Sequence, residues 1–437
     1  MVENARCDEP TTRHAATVEV VVHICMLLPE RFPPDIRVEK EAAALTRAGH
    51  SITLLCRGDA SQPTFDRVDD IDVERLPANG LFDGMSGLLD GVRYVSTQVH
   101  PAWKRAVLAV DAGRPIDAIH VHDLPLVRTG LVCGERLDVP VVADLHENYP
   151  EAARQIQRMR GWREIARDHE ALFQRVFLSP WRLKRAERHA VENADRLLTV
   201  CEEARAHYLR DCGGDPERVD VVSNTVDRDV FDPETAAVPD LPFDADESFV
   251  VSYIGNFTEH RGLDSLIEGF ARLVETGSDA ELLLVGTGNA RYVARLKSLA
   301  ASLGVRDRVR FTGWVPFADV PGYVAASDVC VVPHASTPHT ETTVPHKLFQ
   351  AMAMGVPVLV SDVAPLARVV TRTESGLVAP AGDGPAMGEA LVDLTDVDLA
   401  RELGANGRRA TEHEYNWERD GAHLRSVYDE LRPSAEE

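Results

Sequence analysis

The chain has 437 residues, 44% of them hydrophobic and 27% charged, which suits one large or two to three ordinary domains and excludes a chain disordered or low in complexity throughout. Five Lys and 42 Arg stand against 70 Asp and Glu, a formal net charge of −23 that argues against nucleic acid as a partner, since non-specific binding rests on neutralising phosphates. The seven cysteines are scattered without a C-x-x-C pair, so they read as small buried hydrophobes of a reducing compartment.

Residues 1–17 are polar and lack the apolar core of a signal peptide, and the longest uncharged run, 348–361, is short of the ~20 residues that span a bilayer. The expectation is a cytoplasmic protein that touches, at most, the inner face of the cell membrane.

Short β-branched runs alternate with longer amphipathic segments. Residues 18–28 predict an apolar strand interrupted by Glu19 and His23; Pro33 and Pro34 make a turn, and 38–48 predict a helix closed by Gly49 in the left-handed conformation. Strand 51–56, strand 118–122 with helix 126–137, strand 140–146, and strand 196–200 with helix 202–212 follow. Strands buried on both faces with helices between them predict a parallel sheet with right-handed crossovers.

Residues 232–248 turn Pro-, Ala- and Asp-rich, the best linker in the chain. The alternation restarts with strand 249–255, helix 263–275, strand 281–285, helix 290–303, strand 309–313, helix 320–326, strand 329–333, helix 345–354 and strand 356–361. Residues 415–431 read as a terminal helix. The resulting division is a tail at 1–17, a first domain at 18–235, a linker at 236–247, a second domain at 248–412, and a segment 413–437 that packs back on the first. The fold class is α/β: two Rossmann-like doubly wound domains facing across a cleft, with the ligand at the carboxyl ends of the strands.

The second half carries the more specific signals. Its first strand ends in Gly255-Asn256-Phe257, and Arg261-Gly262 precedes a helix; a glycine turn, a cation and a helix N-terminus suit a diphosphate. Val285-Gly286-Thr287-Gly288 is another glycine turn after a buried strand, for which a purely structural role is equally open. Phe311-Thr312-Gly313-Trp314-Val315 leads toward a loop, 334–343, long enough to wrap a ligand. Lys347 lies in the first turn of the next helix, where a cation opposes the dipole; an anion nearby explains it, and an ordinary solvated lysine is the alternative.

In the first half, His146 ends a strand beside Glu147, where the crevice should be; a hydrogen-bonded strand-end histidine is the other reading. His120 and His122 share one strand face and could chelate, but no third ligand is evident from spacing. Asp70-Ile71-Asp72 begins an edge-like strand and is expected to face solvent. No metal site is expected.

Ala48-Gly49-His50, Asp144-Leu145-His146-Glu147, the 255–262 turn, Ala326-Ser327-Asp328-Val329 through Pro333, and Lys347-Leu348-Phe349-Gln350-Ala351-Met352-Ala353-Met354-Gly355-Val356-Pro357-Val358 occur in that order. Residues from about 18 to 431 thereby resemble the retaining nucleotide-sugar glycosyltransferases of glycosyltransferase family 4, which have the two-Rossmann GT-B fold. The chain departs from that family in places. An Arg and a Lys five residues on become Asn256 and Arg261, and two Glu flanking seven residues become Thr342 and Gln350, with Glu341 one place earlier as a substitute. The family's glycine-rich first loop is replaced by Phe32-Pro33-Pro34-Asp35-Ile36-Arg37.

The resemblance implies transfer of a hexose from a nucleoside diphosphate sugar to a glycan or polyprenyl-linked acceptor, with retention, no protein nucleophile, no obligatory metal and no further cofactor. It implies catalytic roles for His146, Arg261, Lys347 and Glu341. Donor contacts fall to Gly255, Asn256, Gly286, Gly288, Trp314, Val315, Thr342, Thr343 and Gln350, and the acceptor side of the cleft to Asp35, Arg37, His122 and Asp123. A sugar-nucleotide epimerase or hydrolase on the same scaffold, and a non-catalytic binding protein, are the rival readings.

One stretch runs against the global charge. Residues 154–188 hold ten basic residues, only four acids and interleaved aromatics. Arg158, Trp162, Arg163, Trp181, Arg182, Lys184 and Arg185 suit an anionic membrane surface or a lipid-phosphate acceptor; the plainer reading is a helical pair that buries its aromatics and solvates its arginines.

Overall fold

The computed structural model describes residues 21–58, 61–77, 93–159, 179–245 and 247–431. The apolar runs of the first half pair as β1 (His23–Arg31), β2 (Ser51–Arg57), β3 (Phe65–Val68), β4 (Ile71–Leu76), β5 (Ala118–His122), β6 (Val141–Asp144), β7 (Arg196–Thr199) and β8 (Val219–Val221), in the order β3-β4-β2-β1-β5-β6-β7-β8. All neighbours are parallel except β3 and β4. The second half forms β9 (Phe249–Ile254), β10 (Ala280–Val285), β11 (Val309–Gly313), β12 (Val329–Val332), β13 (Val358–Ser361) and β14 (Gly376–Ala379), parallel in the order β11-β10-β9-β12-β13-β14.

Strand order reverses between β1 and β5 in one sheet and between β9 and β12 in the other. At such switch points the loops leave in opposite directions and open a crevice beyond the strand ends. The segments carrying Asp123, Gly255 and His334 therefore start at crevices because of topology, before any side-chain chemistry is considered.

The last helix, Trp417–Glu430, is capped by the Asn416 side chain, which accepts from the Arg419 amide. Trp417, Gly421, Leu424 and Tyr428 recur at helical spacing and form a stripe against the helix Ile36–Arg47 of the first domain. A β-carbon on Gly421 would lie 3.3 Å from Ala44 Cβ, the Lys40 ammonium stands 4.4 Å over the Trp417 ring, and the Tyr428 hydroxyl is 2.6 Å from His120 Nδ1.

Several boundaries differ from the sequence reading, each for a local reason. The first described strand starts at His23 and runs on to Arg31, while the strand read as 140–146 stops at Asp144 and leaves His146 in the loop beyond. Pro345 is the N-cap of helix His346–Ala353 rather than its first residue. Asp72 lies on β4, which the hairpin partner β3 covers, so the edge is β3; Asp70 and Asp72 nevertheless face solvent. Six cysteines are buried and unpaired, and Cys7 lies outside the described residues, as does the tail 1–17. Among the described residues no helix is long and apolar enough to cross a membrane.

Tyr428→Phe should leave His120 Nδ1 buried without its partner and cost about 1–3 kcal/mol of stability, read as a lower denaturant midpoint. An unchanged midpoint would show that the docking of the terminal helix does not depend on this hydrogen bond.

Candidate active site

The floor of the first-domain crevice is organised around Asp144, the last residue of β6 and fully buried. Arg37 reaches it from the first turn of helix Ile36–Arg47, donating from Nε to Oδ2 at 2.7 Å and from Nη2 to Oδ1 at 2.6 Å. The remaining guanidinium nitrogen, Nη1, donates to the Val222 carbonyl and to Asn224 Oδ1, both at 3.0 Å. His122 Nδ1 lies 3.1 Å from Asp144 Oδ2, and His146 is clamped between Asp144 Oδ2 at 3.5 Å from Nδ1 and Asp123 Oδ1 at 3.3 Å from Nε2.

Charge follows this geometry. Burial raises the Asp144 carboxyl, but Arg37, His122 and His146 outweigh it and hold it well below the usual carboxylate range. Burial also disfavours a His146 imidazolium, yet Asp123 and Asp144 overcome that and push it up to about 10. Asp123 is raised to about 6 by burial, with His146 opposing. His146, still 19% exposed, is thus a protonated donor at neutral pH rather than a base.

In the second domain, Gly255 follows β9 with φ +135°, and a β-carbon there would strike the Lys347 ammonium. The missing side chain is what admits Lys347, whose Nζ stands 3.9 Å from the centre of the Tyr253 ring. Gly262, at φ +68°, would collide as alanine with the Pro333 carbonyl oxygen, and the Ala335 amide donates to the His260 carbonyl at 3.0 Å. These approaches seat the Arg261 turn on the end of β12, where Arg261 Nη1 meets His334 Nε2 at 3.0 Å. Burial and Arg261 hold His334 well below the ordinary imidazole range, so its neutral ring accepts that bond. Burial and Arg261 likewise depress Lys347.

Among the described residues neither Arg261 nor Lys347 has a carboxylate within ion-pair distance. Arg261, just before helix Leu263–Glu275, and Lys347, close enough to feel its charge, are gathered without an acid and form an anion-binding arrangement; an anion bound there would offset the burial and repulsion that depress Lys347. The domains meet here: His339, lowered chiefly by burial, feels Glu147 from one side and Arg261 from the other.

Other expected site residues sit elsewhere or act structurally. Asp35 caps helix Ile36–Arg47, accepting from the Arg37 and Val38 amides, and Arg37 and His122 are buried under the floor instead of lining the acceptor side. Gly286 and Gly288 press on the carbonyls of Gly255 and Phe257, so their lack of a β-carbon serves turn-on-turn packing. Asn256 is exposed and its carbonyl accepts from the Tyr253 hydroxyl; Trp314 is 74% exposed, and Val315 packs with Val250 and Val285.

Glu341 accepts from the Ala364 amide and the Ser336 hydroxyl, and the Thr342 and Thr343 hydroxyls donate to carbonyls of their own loop. Gln350 lines a separate cavity of about 220 Å³ with Lys40, His346 and Phe317, which neither Arg261 nor Lys347 borders. Trp162 and Arg163 lie outside the described residues, as does the Arg158 side chain; Trp181 and Arg185 are exposed, Arg182 donates to the Val95 carbonyl, and Lys184 pairs with Glu151 at 3.0 Å.

His120 and His122 do have further acidic neighbours, Glu41 and Asp144, which long-range folding brings within ligand reach. Arg37 already engages both carboxylates, contacting Glu41 at 3.0 Å, and so fills the place of a cation. Tyr253, His334 and His339 were missed in the sequence because apolar-strand and loop patterns carry no mark of a shared site.

Two outcomes follow. Asp144→Ala should cost about 3–5 kcal/mol by leaving the Arg37 charge buried and unpaired, seen in chemical denaturation. For His146, whose folded value exceeds its unfolded value of about 6.5, the stabilising charge is complete below that value and lost as pH rises through about 10. Its ring resonances should therefore stay constant from pH 6 to 8 in NMR titration; a midpoint inside that window would dissolve the imidazolium assignment.

The profile described as "Glycosyl transferase 4-like domain" matches residues 34–225, and "Glycosyl transferases group 1" matches 248–396. The alpha-D-kanosaminyltransferase of Streptomyces kanamyceticus is 26% identical over 68% of this chain and 72% of its own length. The D-inositol 3-phosphate glycosyltransferase of Xylanimonas cellulosilytica is 27% identical over 90% of each. Among solved structures, sucrose-phosphate synthase of Thermosynechococcus elongatus superposes with a TM-score of 0.72 at 22% identity, covering 94% of this chain and 99% of that one. Anabaena HepE in complex with UDP-glucose does so at 0.66 and 16%, covering 93% and 99%. With both halves matched in order and the two parallel sheets of the GT-B fold in place, the chain belongs to the family 4 glycosyltransferases.

Proposed function

We propose that this glycosyltransferase moves a hexose, with retention, from a nucleoside diphosphate sugar to a hydroxyl of a glycan or lipid-linked acceptor. The observation that supports it is the pair Arg261, on His334, and Lys347, beside Gly255, near enough to feel each other's charge and with no acid to neutralise them. When the anomeric carbon–oxygen bond breaks, its electron pair goes to the diphosphate; cations fixed in place before reaction stabilise that charge without reorganising. The acceptor oxygen bonds to the same carbon and its proton passes to the departing phosphate. His146, protonated with its two ring nitrogens turned to Asp144 and Asp123, places a positive charge beneath the transferred sugar and holds the Asp123 carboxylate in place beside it.

HepE was crystallised with UDP-glucose, which favours a uridine diphosphate donor as the first to test. The chain needs no added divalent cation to hold the diphosphate in this reading, because the two basic side chains and the helix end take that part. Peripheral contact with an anionic membrane belongs to the same proposal: it rests on exposed Trp181 with Lys184 and Arg185 three and four residues on, along one helix face.

A thermal-shift panel of UDP-, GDP- and ADP-sugars, without added Mg²⁺ or Mn²⁺, tests the donor. A ligand at a hundredfold its dissociation constant adds about 2.7 kcal/mol, and no response from folded protein to any of them would overturn the reading. Arg261→Ala should lower turnover by about 10²–10³-fold, and near wild-type rates would remove it from the diphosphate. His146→Ala should impair transfer while leaving nucleotide affinity within a fewfold.

A further inference from the structure

A second cluster of chemistry-bearing side chains lies outside the crevice, where helix Pro180–Asn193 meets helix Glu202–Asp211. Glu187 comes from the first helix, His207 from the second, and Cys212 from the residue that ends it. Cys212 Sγ is 3.5 Å from Glu187 Oε2 and 3.9 Å from His207 Nε2, and His207 Nε2 is 3.6 Å from the same carboxylate oxygen.

Three donor atoms at these separations outline one face of a tetrahedron. Zinc bonds of about 2.3 Å to sulfur and about 2.0–2.1 Å to nitrogen and oxygen give edges of roughly 3.3–3.6 Å at tetrahedral angles. The observed triangle exceeds them by no more than a few tenths of an ångström. In the metal-free protein the Cys212 thiol donates to Glu187 and the His207 ring pairs with the same carboxylate, so the three donor atoms are already held together on one side of a common centre.

Two further observations agree. The other ring nitrogen, His207 Nδ1, is 3.0 Å from Asp211 Oδ2, the carboxylate–histidine arrangement that orients a metal-binding imidazole. Glu187 and Cys212 are buried, and among the described ion pairs Glu187 meets no Lys or Arg; its charged partner is His207. In the Glu41–His120–His122–Asp144 cluster, Arg37 already plays the cation, so that site disfavours a metal where this one invites it.

We propose that Glu187, His207 and Cys212 bind one zinc ion, with Asp211 orienting His207 and water completing the coordination. A sulfur, a nitrogen and an oxygen donor suit zinc over magnesium or calcium, which prefer oxygen throughout. His207 keeps 18% exposure, which gives the ion and the fourth ligand a path from solvent. Binding displaces the Cys212 thiol proton and the His207 Nε2 proton to water, leaving a thiolate and a neutral imidazole whose Nδ1–H stays on Asp211. The ion would fasten the two helices together. One of them carries Glu203, whose carboxylate takes Arg368 of the second domain at 2.6 and 3.2 Å.

The test uses the full chain, stripped with a chelator, desalted, and titrated with Zn²⁺ and separately with Co²⁺. The expected result is one tight equivalent of zinc per chain by mass spectrometry of the metal, a raised melting temperature, and a thiolate-to-cobalt charge-transfer band with four-coordinate ligand-field bands. Cys212→Ser and His207→Ala should abolish the tight equivalent, with circular dichroism confirming the fold, and Asp211→Asn should weaken it about 10–100-fold. His207 is partly exposed, so its variant serves if Cys212→Ser fails to fold. Absence of tight zinc from folded wild-type protein, an undiminished equivalent in His207→Ala, or a cobalt spectrum without the sulfur band would each overturn the proposal. The last would place the metal at a sulfur-free site.

Discussion

A guanidinium shut away from solvent sets the geometry of the first domain and of its join to the second. Arg37 spends two nitrogens on Asp144 and the third on the segment after β8, where Asn224 passes the connection on: its amide nitrogen donates to the Val344 carbonyl at 3.0 Å, just before the helix that carries Lys347. A buried ion pair is weak evidence for stability, since apolar residues of similar volume often do as well. Its distinctive effect is directional. The planar fork fixes where the Asp144 oxygens point, and those oxygens in turn hold His122 and His146.

The same arrangement explains how a chain of net charge −23 can receive an anion. The first-domain floor is rich in carboxylates, yet Arg37 and His146 engage Asp144, and His146 engages Asp123. On the opposite wall Arg261 and Lys347 are left without acids. What a bound phosphate meets is the local field inside the cleft, where counter-charges are close and water is scarce, more than the distant acidic surface, which salt screens.

Regular elements were legible because period and burial are local: strand 118–122, helix 263–275 and strand 309–313 coincide with the observed bounds. Arg261 and Lys347 were legible because a glycine turn and a cation at a helix start are unusual by themselves. Arg37 and His122 were placed on the cleft wall, whereas they lie beneath it, because sequence position tells which end of a strand a residue occupies but not how deep its neighbours bury it. Glu41 and Asp144 escaped as partners of the histidines since they stand 103 positions apart: Glu41 arrives on helix Ile36–Arg47 and Asp144 on β6, which pairs with the strand of the histidines. Gln350 faced the same limit: helical phase puts it near Lys347, but the cavity it lines opens toward Lys40 and Phe317.

The polypeptide leaves the first domain at the segment after β8, builds the second sheet, and returns so that Trp417–Glu430 lies on helix Ile36–Arg47. Two covalent strands therefore connect the halves, side by side, and the parallel bridge between Val226 and Asn416 ties one strand to the other. A paired connection resists twisting of one half about the long axis while still permitting the crevice to open and shut like a book. It also means that donor halves could not be exchanged between relatives at one junction: a working chimaera needs two, one before β9 and one before Trp417, or its first domain loses a wall.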